Sequence, residues 1–162
     1  MKQDRFLTGI LVGIAVLVVI AVAVFFIRKD SQSYISEDAP AGVVHNYVLA
    51  VLNKDYEKAY GYLADLEHKP TYEQFRDSFL RGMVNPNNSA VDIGKSEINN
   101  DTASVEVVLI YNPSDPFSTG YRDVQRAILV KQGGAWKLSY MPSYYFWDGN
   151  WYPQVEVTPS TK

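Results

Sequence analysis

The chain reads as three hydrophobic patterns in succession. Residues Phe6 to Ile27 form one long apolar run without a charge, with Lys2 and Arg5 before it and Arg28 and Lys29 after it. At the ~1.5 Å rise of a helix the run covers roughly 30 Å, the hydrocarbon thickness of a bilayer, so the pattern predicts a transmembrane helix over 6–27. A basic tail at 1–5 precedes it, and a polar stretch at 28–38 without apolar periodicity reads as a tether. A domain of ordinary size then occupies 39–153, and 154–162 reads as a flexible tail.

Within the domain the second pattern is helical. Asp38 is placed to cap a helix with Pro40 in its first turn. Val44, Tyr47, Val48, Val51 and Leu52 then recur at the i, i+3, i+4, i+7, i+8 spacing of a buried face until Asn53 breaks it. Asp55 caps a shorter helix with Tyr56, Ala59, Tyr60 and Leu63 inward. Thr71 with Gln74 three residues on is a capping box, ahead of a stripe made by Tyr72, Phe75, Phe79 and Leu80.

After Asn85–Ser89 the period falls to two. Val91–Ile98 predicts a first strand and Asn99-Asn100-Asp101 a tight turn. Ala103, Val105, Val107, Leu109 and Tyr111 alternate along a second strand, and Val108 and Ile110 make its other face apolar too, as expected of a central strand covered on both sides. A connection holding Pro113, Pro116 and Gly120 leads to Tyr121–Lys131, where Val124, Ile128 and Val130 share a face. Gly133-Gly134 signals a two-residue hairpin into Ala135–Tyr140. The predicted fold class is α+β: an N-terminal transmembrane helix, then three helices packed on a curled, cone-like antiparallel sheet.

Composition narrows the function classes. A net charge of -3 leaves no basic stripe to track phosphates, which argues against nucleic acid as a partner. With no cysteine there is neither a lipoprotein anchor nor a thiolate metal site. The apolar run exceeds a signal-peptide core, and the one Ala-x-Ala pattern, Ala39-Pro40-Ala41, lies well past it, so an uncleaved single-pass anchor is expected, with the bilayer as a partner. Flanking charges nearly balance, and the short tail favours an extracytoplasmic domain. Gly9 and Gly13 have the Gly-x-x-x-Gly spacing of packed transmembrane helices, a candidate self-association surface. Asn87-Asn88-Ser89 and Asn100-Asp101-Thr102 are glycosylation sequons, triplets that also arise by chance.

Two short motifs add a resemblance. Asp55-Tyr56-Glu57-Lys58-Ala59-Tyr60 resembles the short second helix of nuclear-transport-factor-2-like domains of the cystatin-like cone type. Gly134-Ala135-Trp136-Lys137-Leu138 resembles the start of their late strand. The resemblance spans roughly 38–152 and implies a cone whose sheet wraps a pocket closed by helices. Enzymes of that superfamily, isomerases and dehydratases, place a carboxylate or histidine and a tyrosine inside the cone. No residue here matches that pattern well enough to inherit those roles.

Candidate chemistry is sparse. A general base needs a tuned pKa inside an apolar pocket, and His45, beside the Val44/Tyr47/Val48 stripe, is the first candidate, against a boundary-facing histidine. His68 sits in a loop, and Asp123 and Arg126 alternate in the third strand as sheet charges. Tyr47, Tyr60 and Tyr72 are candidate ligand-binding residues whose hydroxyls would line a pocket, unless the core is filled by its own rings. The segment Tyr144–Tyr152 places six aromatics around Asp148-Gly149-Asn150. Tyr145 and Phe146 suit closure of the fold, and Trp147, Trp151 and Tyr152 suit a partner surface. The expected function is a membrane-anchored, non-enzymatic binding or accessory domain with no cofactor or metal. The alternatives are a pocket enzyme of the isomerase or dehydratase type on a small apolar substrate, and a structural subunit of a larger membrane complex.

Overall fold

Side-chain caps set where two of the domain's helices begin. The computed structural model describes residues 5–29, 33–86, 89–111, 121–142 and 146–152. The connection with Pro113, Pro116 and Gly120, Tyr144 and Tyr145, Asn87 and Asn88 of the first sequon, and the tail at 154–162 lie outside them. Helix α1 is Arg5–Lys29, α2 Pro40–Leu52, α3 Tyr56–Gly61 and α4 Tyr72–Leu80. The Asp55 side chain accepts from the Lys58 backbone N–H at 3.2 Å, and Thr71 and Gln74 close both halves of the capping box, at 3.3 and 2.9 Å. Each such cap contributes about 1 kcal/mol. Asp38 does not cap α2. The N-cap is Ala39 with no side-chain bond, and the Asp38 carboxylate accepts from the Ser36 hydroxyl at 2.6 Å.

The strands β1 (Ser89–Asn99), β2 (Thr102–Tyr111), β3 (Tyr121–Gln132) and β4 (Ala135–Tyr140) form one antiparallel sheet in the order β1-β2-β3-β4. Asn100 at φ 53° turns the first hairpin, and Gly133 and Gly134 at φ 59° and 85° turn the last, the left-handed pair that a tight hairpin requires. The register between β1 and β2 shifts between Ile93 and Ser96, and that between β3 and β4 shifts between Ile128 and Leu129, so the sheet bends at both places.

Ala103, Val105, Val107 and Leu109 of β2 are buried as the alternation predicts. On β3 the buried residues are Ala127 and Leu129, opposite Val105 and Ala103, while Val124 is 61% exposed. Val124, Ile128 and Val130 share a face as expected, and it is the face opposite to the core. Val108 and Ile110 of β2 lie on that face and are half-buried, so β2 is central but not deeply covered on both sides. The core lies between the inner face and α2, whose Val43, Val44, Tyr47 and Val51 are buried with Leu63, Phe75, Leu138 and Met141. The chain after α3 adds to the sheet: Ala64 N–H donates to Leu138 C=O at 2.7 Å and Leu138 N–H to Tyr62 C=O at 2.8 Å, a parallel bridge on the edge of β4.

Residues Met1–Ser33 and Tyr34–Lys162 are separate units. In the first, the described side chains of α1 are those of residues 8–24. Among the described residues no helix is long and apolar enough to cross a membrane. The expected transmembrane helix at 6–27, and with it the single-pass membrane localisation, is corrected accordingly. Gly9 and Gly13, the expected packing pair, lie on α1 with nothing within 4 Å of where a Cβ would sit. Among the described residues the structure shows an α+β fold of four helices and a four-stranded antiparallel sheet.

Candidate functional site

Aromatic residues from three helices and the C-terminal turn meet inside the fold. Tyr47 is buried on α2, its hydroxyl donates to the Phe146 carbonyl at 2.5 Å, and its ring lies edge-on to Trp147 with centroids 6.3 Å apart. Trp147 meets Trp151 at 5.2 Å and stacks on Tyr152 at 5.6 Å, and Trp151 continues to Phe75 at 4.9 Å. Tyr60 joins Phe75 and Tyr72, both at 5.6 Å, and donates to the Pro70 carbonyl at 2.9 Å.

The candidate ligand residues Tyr60 and Tyr72 are therefore brought together, but as a ring pair with Tyr72 39% exposed, and Tyr47 belongs to the tryptophan cluster. Burial raises the Tyr47 phenol well above its ordinary value, with a smaller contribution from nearby Tyr152. Tyr152 donates to the Ala64 carbonyl, and burial first, then Tyr60 and Asp65, raises its phenol too. Neutral phenols donating to carbonyls are structural pins. Trp147 and Trp151, the candidate partner anchors, are 1% and 5% exposed, and Tyr152 is half-buried. His45 is half-buried with Nδ1 3.3 Å from Asn46 Oδ1.

Outside this cluster a groove of about 580 Å3 runs between α4, the loop carrying His68 and Lys69, and the turn Asp148–Trp151. Its floor is Ser78, 3% exposed, a polar residue on the Phe75/Phe79 stripe. The Ser78 hydroxyl has one proton and two acceptors, Gln74 C=O at 3.1 Å and Asp148 Oδ2 at 3.0 Å. Asp148 Oδ1 accepts from the Asn150 backbone and side chain at 3.0 and 2.9 Å, which folds the turn over the groove. On the rim Arg81 pairs with Asp77 at 3.0 Å, and His68, at φ 66°, lies 3.7 Å from Glu67.

No imidazole stands between Ser78 and Asp148, and both carboxylate oxygens are engaged, so the pair does not assemble a nucleophile. Among the described residues no group of three or more His, Asp or Glu side chains is placed to hold a metal ion. What the groove offers is a row of donors and acceptors on Gln74, Asp77, Arg81 and Asn150 over a fixed floor. Sequence reasoning missed Ser78 and Asp148. The signal was there, a serine on an apolar stripe and an Asp-Gly-Asn turn, but only the fold joins residues 70 positions apart.

No family model matches the chain, and no curated protein matches it. Among solved structures, it is similar to a SEC-C motif containing protein from Rhodopseudomonas palustris, at 13% identity over 65% of this chain and 79% of that one, with a TM-score of 0.45. It is also similar to an uncharacterized cystatin fold protein from Novosphingobium aromaticivorans, at 10% identity over 60% of this chain and 92% of that one, with a TM-score of 0.42. Likenesses this loose assign neither family nor function. The expected nuclear-transport-factor-2-like domain on a single-pass anchor is corrected in the same step, since no described helix is long and apolar enough to be that anchor.

Proposed function

We propose that residues 34–152 form a non-enzymatic binding or accessory module, a cone closed by its own aromatic side chains, with the groove over Ser78 as its ligand face. The observation that carries this reading is the contrast between the inner pocket expected of the tyrosines and the groove over Ser78. The rings that would line an inner pocket fill it, whereas the groove keeps its polar rim in reach of solvent. A binding face needs fixed hydrogen-bonding groups rather than tuned acids, and the Asp148-anchored turn holds them.

The test is capture from an extract of the source by the wild type, by Gln74→Ala/Arg81→Ala, and by Arg122→Ala on the opposite face of the sheet. Loss of the captured species in the groove variant alone supports the reading. Equal capture by all three refutes it.

A second reading, proton transfer, has one observation in its favour. Asp123 pairs with Leu109 and so shares the core-bearing face of the sheet, where its carboxylate accepts from Gln125 Nε2 at 2.5 Å. Asp123→Asn would abolish turnover of a small carbonyl or hydroxy substrate if that reading held.

A further inference from the structure

Residues Tyr34–Asp38 lie in the stretch expected to be a tether, yet the domain holds them by specific side-chain contacts. Asn46 is fully buried in the middle of α2, a place where an unpaired amide is costly. A side-chain amide has two N–H donors and one oxygen with two lone pairs. Here Nδ2 donates to the Ile35 carbonyl at 2.8 Å and to Glu37 Oε1 at 3.1 Å, and Oδ1 accepts from the Ile35 N–H at 2.9 Å. His45 Nδ1 lies 3.3 Å from the same oxygen and occupies its second lone pair when that nitrogen carries the proton.

Asn46 therefore reads the N–H and C=O of a single residue, as a neighbouring β-strand would. Tyr62 donates to Glu37 Oε1 at 2.7 Å, so the carboxylate is read as well. Lys58 Nζ sits 3.3 Å from the centre of the Tyr34 ring. Gly42 lets the backbone come close: a Cβ there would stand 1.9 Å from the Ser36 carbonyl oxygen.

We propose that Gly42, Asn46, Lys58 and Tyr62 form a receptor for an extended peptide, filled in this chain by its own strap Tyr34–Glu37. Its ligand class follows from the contacts: an extended segment with an aromatic ring, a backbone-paired residue next to it, and a carboxylate two positions further on. A segment of that pattern on a partner displaces the strap, and the displaced strap is the response. The site lies on α2 and α3, apart from the Ser78 groove, and does not depend on what that groove binds.

Competition inside one chain fixes the design of the test. A tethered strap acts at an effective concentration on the order of millimolar, so the wild type resists a free peptide while a chain with a weakened strap accepts it. A fluorescent peptide of residues 33–38 (Ser-Tyr-Ile-Ser-Glu-Asp) is titrated into the full chain by anisotropy, using the wild type, Tyr34→Ala/Glu37→Ala, and that double variant with Asn46→Asp added. The strap variant should bind at least about tenfold more tightly than the wild type, Asn46→Asp should abolish the gain, and a peptide with Gln for its Glu should bind several-fold more weakly. In the wild type, whose fold is not altered, millimolar peptide should speed hydrogen exchange at the Ile35 amide, and this readout stands if the variants do not fold. Absence of uptake by a folded strap variant, uptake indifferent to Asn46→Asp, or an Ile35 amide unmoved by peptide each overturns the proposal.

Discussion

Replacing Gly42 by Ala sets two physical effects against each other with opposite signs. Gly42 lies in the first turns of α2, where alanine is favoured over glycine by about 1 kcal/mol on helix propensity alone. The added methyl, however, would stand 1.9 Å from the Ser36 carbonyl oxygen and 3.1 Å from its carbon. Real contacts of this kind need more than 3 Å, so strap or helix must move by over an ångström, and both neighbours are backbone. A shift of that size breaks the two Asn46 bonds to Ile35 and the one to Glu37. At about 1 kcal/mol for each bond lost, with water able to reach part of the freed amide, the cost is about 3 kcal/mol. Net of propensity, Gly42→Ala destabilises by about 2 kcal/mol, which lowers Tm by about 5–10 °C for a domain of this size. Thermal melts followed by circular dichroism, with proteolysis of the 30–38 stretch alongside, measure both consequences. A variant that melts higher than the wild type, with the strap equally protected, would show that the strap is not seated as described and refute the reasoning.

Other substitutions probe other parts of the same account. Trp147→Ser with Trp151→Ser should unfold the domain, since both rings are buried and each truncation costs about 3–5 kcal/mol; a soluble variant with native near-ultraviolet signals would return the rings to the surface. Val107→Asp puts an unpaired charge at the centre of β2 and should abolish cooperative melting. Ser78→Ala removes the floor hydroxyl and leaves Asp148 short of one donor, so a loss of about 1–2 kcal/mol in urea unfolding is expected. The pH dependence follows from the raised phenols. A folded-state pKa above the unfolded value of about 10 gives stability that is complete below pH 10 and falls as pH rises beyond it, at about 1.4 kcal/mol per pH unit for each phenol kept neutral. A Tm series from pH 8 to 11 should be level to about pH 10 and then drop, and Tyr47→Phe should flatten the drop.

How far the sequence could be read depended on the range of the interaction involved. Caps and turns are local, so Thr71 with Gln74, Asp55, Asn100 and the Gly133-Gly134 hairpin were legible where they stand. The inward face of β3 was not, because both parities carry apolar residues. Only pairing of Ala127 with Val105 and Leu129 with Ala103 decides which set turns inward. The strap looked like a tether because its partners, Asn46 and Tyr62, lie 9 to 25 residues away, and its one visible trace was an asparagine inside an apolar stripe. Trp147 and Trp151, expected at a partner surface, are buried because α4 and the turn stack them ring on ring, where each covers the next.

The bridge between Tyr62–Ala64 and Leu138 bears on how the chain is made as well as on how it holds. A ribosome delivers α2 and α3 long before residue 138, and the pairing of Tyr47 with Phe146 joins positions 99 apart. Until residues 135–151 emerge, the amphipathic helices have no β4 edge to seal against and no tryptophans to bury them, so the nascent domain carries its apolar stripes exposed until then. Folding of the domain is therefore withheld until that last segment has been made. A chain stopped before Phe146 is expected to be a client of chaperones and proteases, not a shorter version of the same domain.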